Sequence, residues 1–132
     1  MLKMKPRKRV PYEFVLEAIE TASPITRPMF GCTAVYVGEK IVFVLREKGK
    51  TQPHTDDGVW LATSQEYHES LRREFPNMRS IGVLGNGGTT NWQILPAEAP
   101  DFEETAVRAC ELVIAGDGRI GRVPKSRRKG RR

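Results

Sequence analysis

The sequence predicts an α+β fold, a two-layer sandwich in which an antiparallel sheet of about five strands carries helices. Three observations lead there. Strand-forming residues run almost unbroken from Phe30 to Leu45, FGCTAVYVGEKIVFVL, and Gly38-Glu39 divides the run as a two-residue type II′ turn with glycine where φ must be positive. Amphipathic helical stripes occur near both ends of the chain. Predicted strands follow one another directly, with helices between the groups, which is the pattern of an antiparallel rather than a parallel sheet.

The turn sets a register with Tyr36 opposite Ile41, Ala34 opposite Phe43 and Cys32 opposite Leu45, so these six residues share one face. The other face then carries Val35, Val37, Val42 and Val44 beside Thr33 and Arg46. That set is too apolar to be left in water. If the helices occupy the first face, two copies of the chain would bury these four valines against each other, and the expectation is a homodimer built on them.

Taken in order, Phe14, Val15, Ala18, Ile19 and Ala22 follow Pro11 with the spacing of one helical face, and Glu13, Glu17 and Glu20 lie on the other. Ser23-Pro24 ends this helix, and Ile25 to Met29 leads into the hairpin. After Leu45 the stretch REKGKTQPHTDDG is polar and broken by glycine and proline, a long loop. Strand three runs from Val59 to Ala62. Thr63 and Glu66 are spaced as a capping box before a helix striped by Tyr67, Leu71 and Phe75, which Pro76 and Asn77 stop. Ser80 to Leu84 and Trp92 to Leu95 form a strand pair around the loop GNGGTT. Asp101 and Glu104 are spaced as a second capping box, opening a helix that buries Phe102, Ala106, Ala109, Cys110 and Val113. The predicted order is α-β-β-β-α-β-β-α.

At 132 residues and 39% hydrophobic content the chain is one domain long and needs no disulfide or metal to hold a core. Cys32 and Cys110 both sit on apolar periodicities and read as reduced core thiols. MLKMKPRKRV has charge but no apolar signal core, and no apolar run approaches the ~18 residues that would span a membrane. The expected location is cytoplasmic, with no membrane partner.

The formal charge of +6 is unevenly distributed. Residues 1–10 hold Lys3, Lys5, Arg7, Lys8 and Arg9, and residues 119–132 hold Arg119, Arg122, Lys125, Arg127, Arg128, Lys129, Arg131 and Arg132. Neither segment has an acidic residue. The stretch 11–118 keeps 9 basic residues against all 16 acidic ones, a net of −7. The expected organisation is a single domain at 11–118 between two basic, disordered interaction arms. Such arms either bind DNA or RNA electrostatically and without sequence preference, or serve only to keep an otherwise acidic protein soluble.

Catalytic chemistry finds no support. His54, Asp56 and Asp57 lack a second histidine or cysteine at ligand spacing, so no metal is expected. His68 falls one residue past an apolar stripe and is expected to face solvent. GNGGTT joins two strands, not a strand and a helix, and lacks the lysine of a phosphate-binding loop. Trp60 and Trp92 lie in strands and are expected in the core. No nucleophile stands with a base, no carboxylates pair at a fixed spacing, and no cofactor is expected.

The hairpin YVGEKIVFVL, the stretch FPNMRSIGVLGNGGTTNWQIL and the helix EETAVRACELV together resemble the MmcQ/YjbR family, and PMFG resembles a piece of the related TfoX N-terminal domain. The resemblance covers about residues 11–118. It implies a small protein of the secretion-chaperone-like α+β fold, of a kind associated with DNA binding through a winged surface. Here the segment from Gly82 to Trp92 has no Lys or Arg, so cations for phosphate contacts must come from elsewhere. The alternative is a homodimeric module without catalytic activity that binds a protein or small ligand in a groove between the sheet and the loop from Glu47 to Gly58.

Overall fold

The first helical stripe folds into a short helix, α1 (Glu13–Ala18), followed by a 3-10 turn at Glu20–Ala22. Tyr12 before it and Ser23 after it both adopt left-handed backbone, with φ of 54° and 55°, which limits the helix on each side. The structure, a computed structural model, describes residues 10–48, 56–81 and 91–124.

Six strands then form one antiparallel sheet: β1 (Ile25–Met29), β2 (Cys32–Val37), β3 (Lys40–Arg46), β4 (Gly58–Leu61), β5 (Arg79–Ser80) and β6 (Gln93–Pro96). Their spatial order is β1-β2-β3-β4-β6-β5. A 3-10 turn at Gln65–Tyr67 leads into α2 (His68–Glu74), and α3 (Phe102–Ile114) closes the set. The α+β class and the antiparallel sheet are as the sequence predicts, with one strand more. The predicted loop GNGGTT and residues 82–84 of the strand predicted before it lie outside the described residues.

The additional strand is β1, read from sequence as a lead-in. It pairs with β2 from Ile25↔Tyr36 to Met29↔Cys32 around the two-residue turn Phe30-Gly31. Both turn residues have positive φ, 52° and 77°, as a type I′ hairpin requires. Pro28 concealed the strand, since proline argues against an interior strand. Yet β1 is an edge, and Pro28 is suited to it. In a two-residue hairpin the pair next to the turn is hydrogen-bonded and the pairs then alternate, so Met29, Arg27 and Ile25 bond inward while Thr26 and Pro28 turn their main chains outward. Pro28 has no N–H to present there, and the rim is a poor template for another strand.

Within the central hairpin Gly38 takes the expected positive φ, 63°, and Tyr36 pairs with Ile41. Beyond that point the register differs. Val35 faces Phe43, Ala34 faces Val44 and Thr33 faces Leu45, because the ladder skips Val42. This is a β-bulge: one extra residue in β3 changes the face of everything after it. Val35, Val42, Phe43 and Leu45 consequently join Val59, Leu61 and Leu95 in a cluster with Val15 of α1 and Ile19 just after it, Leu71 of α2 and Ala106, Ala109 and Cys110 of α3. All three helices pack on this one face.

The opposite face holds a second buried cluster of Cys32, Ala34, Ile41, Val44, Trp60, Ala62, Ile81 and Ile94. The four valines do not form an open surface. Val35 and Val42 are buried with the helices, Val37 packs at the edge of that cluster, and Val44 is 1% exposed among the second set. A dimer face composed of Val35, Val37, Val42 and Val44 is therefore corrected: the bulge separates them and the chain buries three of them itself.

Two local expectations also change. Neither predicted capping box forms a side-chain cap. Asp101 precedes α3, but its carboxylate accepts from Asn77 instead, 3.0 Å away. His68 is buried, with Nε2 3.2 Å from the Asn91 carbonyl, because the 3-10 turn before α2 rotates it inward. Burial pulls its pKa below the ordinary histidine value.

Candidate nucleic-acid interface

The residues proposed from sequence to meet nucleic acid divide into two groups. Lys3, Lys5, Arg7, Lys8, Arg9, Lys125, Arg127, Arg128, Lys129, Arg131 and Arg132 lie outside the described residues. Arg119 and Arg122 lie inside, and there the sequence boundary at residue 118 is corrected.

Arg119 is the centre of an ion-pair clamp. Its Nη2 donates to Glu74 Oε2 at 2.7 Å and to Asp117 Oδ2 at 2.8 Å, its Nε to Asp117 Oδ1 at 3.0 Å, and its Nη1 to Ser70 Oγ at 3.0 Å. Arg108 reaches Glu74 at 3.2 Å from the other side. One residue later Ile120 is buried in the main core. Gly121 N–H then donates to the Ala62 carbonyl at 2.7 Å, and Arg122 exchanges both main-chain hydrogen bonds with Ile41, at 2.9 and 3.0 Å. The Arg122 guanidinium also donates to the Thr63 carbonyl at 3.3 Å. Reading the segment as uniformly basic overlooked Ile120 and Val123, whose apolar side chains need burial, and Asp117 and Glu74, which answer the charge.

The arginine holds both carboxyls below their ordinary values of 4.5 and 3.8, through hydrogen bonds to their charged forms. A depressed carboxyl pKa adds stability above the unfolded-state value that is lost as pH falls through the folded-state value. The expected result is a melting temperature that declines below about pH 4.5 in the wild type. In Arg119→Met that decline should be shallower and the neutral-pH melting temperature lower. Thermal melts from pH 7 to pH 3 check this, and parallel acid limbs in the two proteins would refute the clamp.

At the other end of the chain, Val10 and Pro11 border a groove of about 570 Å³ whose remaining walls include Arg27, Pro28, Gly31 and Glu47. Tyr12 stands edge-on to Phe102, with ring centroids 5.2 Å apart, which ties the root of the N-terminal segment to α3. Each basic segment thus departs from a defined place on the domain. One leaves at the Cys32 end of β2 and the other beside Ile41, next to the far end of that strand.

The other sequence-derived candidates are structural where described. Asp57 accepts from Arg46 at 3.2 Å and from the Lys48 N–H at 2.9 Å. Asp56 pairs with Arg79 at 2.9 Å, and its carbonyl accepts from Trp60 Nε1. Together they close the ends of the loop after β3. His54 lies outside the described residues, and no three ligating side chains among the described residues could share a metal ion. Burial pushes the Cys110 thiol up to about 12 and raises that of Cys32, so neither is poised as a thiolate. Trp60 is buried edge-on to the half-buried Trp92, centroids 5.9 Å apart. No described helix is long and apolar enough to cross a membrane.

Compared with known protein families, curated proteins and solved structures, the chain matches none.

Proposed function

We propose that this is a cytoplasmic MmcQ/YjbR-like binding protein, not an enzyme, which holds DNA or RNA without sequence preference through its two basic segments. The observation that carries this is the segregation of charge. With Arg119 and Arg122 assigned to the domain, residues 1–9 and 125–132 still hold five and six basic residues with no acidic one, while residues 10–124 carry eleven against 16. An acidic body repels a polyanion, so attraction must come from the segments. Lysine and arginine placed there release condensed counterions on meeting phosphate, which requires neither a fixed conformation nor a reading helix.

The test is a gel shift of the full-length chain against a full-length variant with all eleven cations changed to glutamine. Cutting the chain at residue 118 is unsuitable because it removes buried Ile120 and the Arg119 clamp. The wild type should bind duplex DNA at low salt, with affinity falling steeply as salt rises, and the variant should lose at least about tenfold. Equal binding by the two proteins, or no binding by the wild type at about 50 mM salt, rules the reading out.

A further inference from the structure

We infer that the tip of the β1–β2 hairpin is a base-stacking contact for single-stranded nucleic acid, with Phe30 as its platform; this rests on the nucleic-acid reading above and adds a substrate class to it. Phe30 is 77% exposed, the most exposed large apolar side chain among the described residues. It belongs to neither buried cluster. It also occupies a central position of a type I′ turn with φ of 52°, where glycine, asparagine or aspartate is at ease and a bulky aromatic is not. The fold gains nothing from a phenyl ring held in that conformation in water. Function is the remaining reason for it.

The surroundings fit a stacked base with its phosphates. Lys48 lies against the turn: a methyl group built on Gly31 would come within 2.7 Å of its Nζ. Arg27, three residues before Phe30, turns its guanidinium away from the tip to the Tyr36 ring, 5.6 Å from its centroid and at the Ile25 end of the hairpin, so Lys48 is the cation that stands at the turn itself. The groove beside the tip begins at Val10, so the segment with Lys3, Lys5, Arg7, Lys8 and Arg9 is attached next to it. Glu47 on the groove wall is the opposing charge. Aromatic faces set among cations are how sequence-tolerant binders hold single strands, and a duplex keeps its base faces stacked inward and offers Phe30 none. A greasy docking patch is disfavoured by spacing. Exposed Ile25 begins β1 and Phe30 follows its end, on the order of 15 Å apart, with Thr26, Arg27 and Pro28 between.

Full-length protein should be titrated with a fluorescent oligothymidylate of about 20 nucleotides and with a duplex of the same length. The informative variant is Phe30→Asn, since asparagine suits the turn while removing the ring. It should melt higher than the wild type yet bind the single strand about 5- to 100-fold more weakly, with duplex affinity within about twofold and the salt slope unchanged. Phe30→Trp should restore single-strand binding. If Phe30→Asn binds the oligothymidylate as the wild type does while the eleven-glutamine variant fails, the stacking contact is wrong and the segment reading stands. Equal losses on single strand and duplex also overturn stacking. No nucleic-acid binding by the wild type overturns both, and Phe30-dependent binding to phosphatidylserine vesicles alone would reassign the tip to a lipid surface.

Discussion

Val44→Glu is expected to give no cooperative thermal transition and to be recovered as unfolded or aggregated protein. Val44 is 1% exposed on β3, an interior strand, between Ala34 of β2 and Trp60 of β4. Its neighbours in the second cluster are apolar, Ile94 and Ala62 among them. An ionised carboxylate placed there loses its hydration for an effective penalty of several kcal/mol, or takes up a proton at a similar cost. Against a total stability of about 5–15 kcal/mol that is enough to unfold a domain of this size. Val44→Ala, which only removes volume, should stay folded and lose about 2 kcal/mol. Circular dichroism and light scattering distinguish the outcomes. A soluble, folded Val44→Glu monomer derived from a dimeric wild type is what an open valine face would produce, and it would contradict this burial.

Gly58→Ala should be nearly as damaging, for a different reason. Gly58 has φ of 143°, and a Cβ there would lie 2.2 Å from the Leu95 carbonyl oxygen and 2.9 Å from the Ala97 nitrogen. Both are backbone atoms, so no side chain can rotate away, and β4 must separate from β6. Strain and overpacking together should cost about 3 kcal/mol or more. Gly38→Ala provides the control, since it meets nothing within 4 Å and pays only for φ of 63°, about 1 kcal/mol. Denaturant titrations of both variants measure the difference, and equal losses would show that the approach of β4 to β6 is not what requires glycine.

The fold class was legible because it depends on periodicity, which the helix from Phe102 and the hairpin around Gly38 display openly. The face assignment was not. A two-fold period tells faces apart only while the register is unbroken, and nothing in KIVFVL marks Val42 as the residue that would be skipped. Ile41, Val42, Phe43 and Val44 are all good strand formers, so tertiary packing made the choice. Strand β1 was hidden for the opposite reason, because Pro28 is a strong negative signal whose meaning reverses at an edge. At the candidate interface the charge imbalance was evident in composition, but its boundary was not. Arg119 and Arg128 look alike in sequence, and only the carboxylates of Glu74 and Asp117, supplied by elements 45 and 2 residues away, assign the first to the domain. Phe30 was read as the start of the hairpin, and its exposure follows from a turn that the dipeptide Phe-Gly does not announce.

The places where the two basic segments are rooted have a consequence for how tightly any polyanion is held. Val10 and Arg122 stand near opposite ends of the β2–β3 pair, on the order of 20 Å apart along strands of this length. If the two segments bind a polyanion as proposed, two weak cationic ligands tethered at that spacing would act as one bivalent ligand. Once the first is engaged, the second meets the same polymer at a millimolar-scale effective concentration. Avidity then depends on the length of the polymer as well as on its charge.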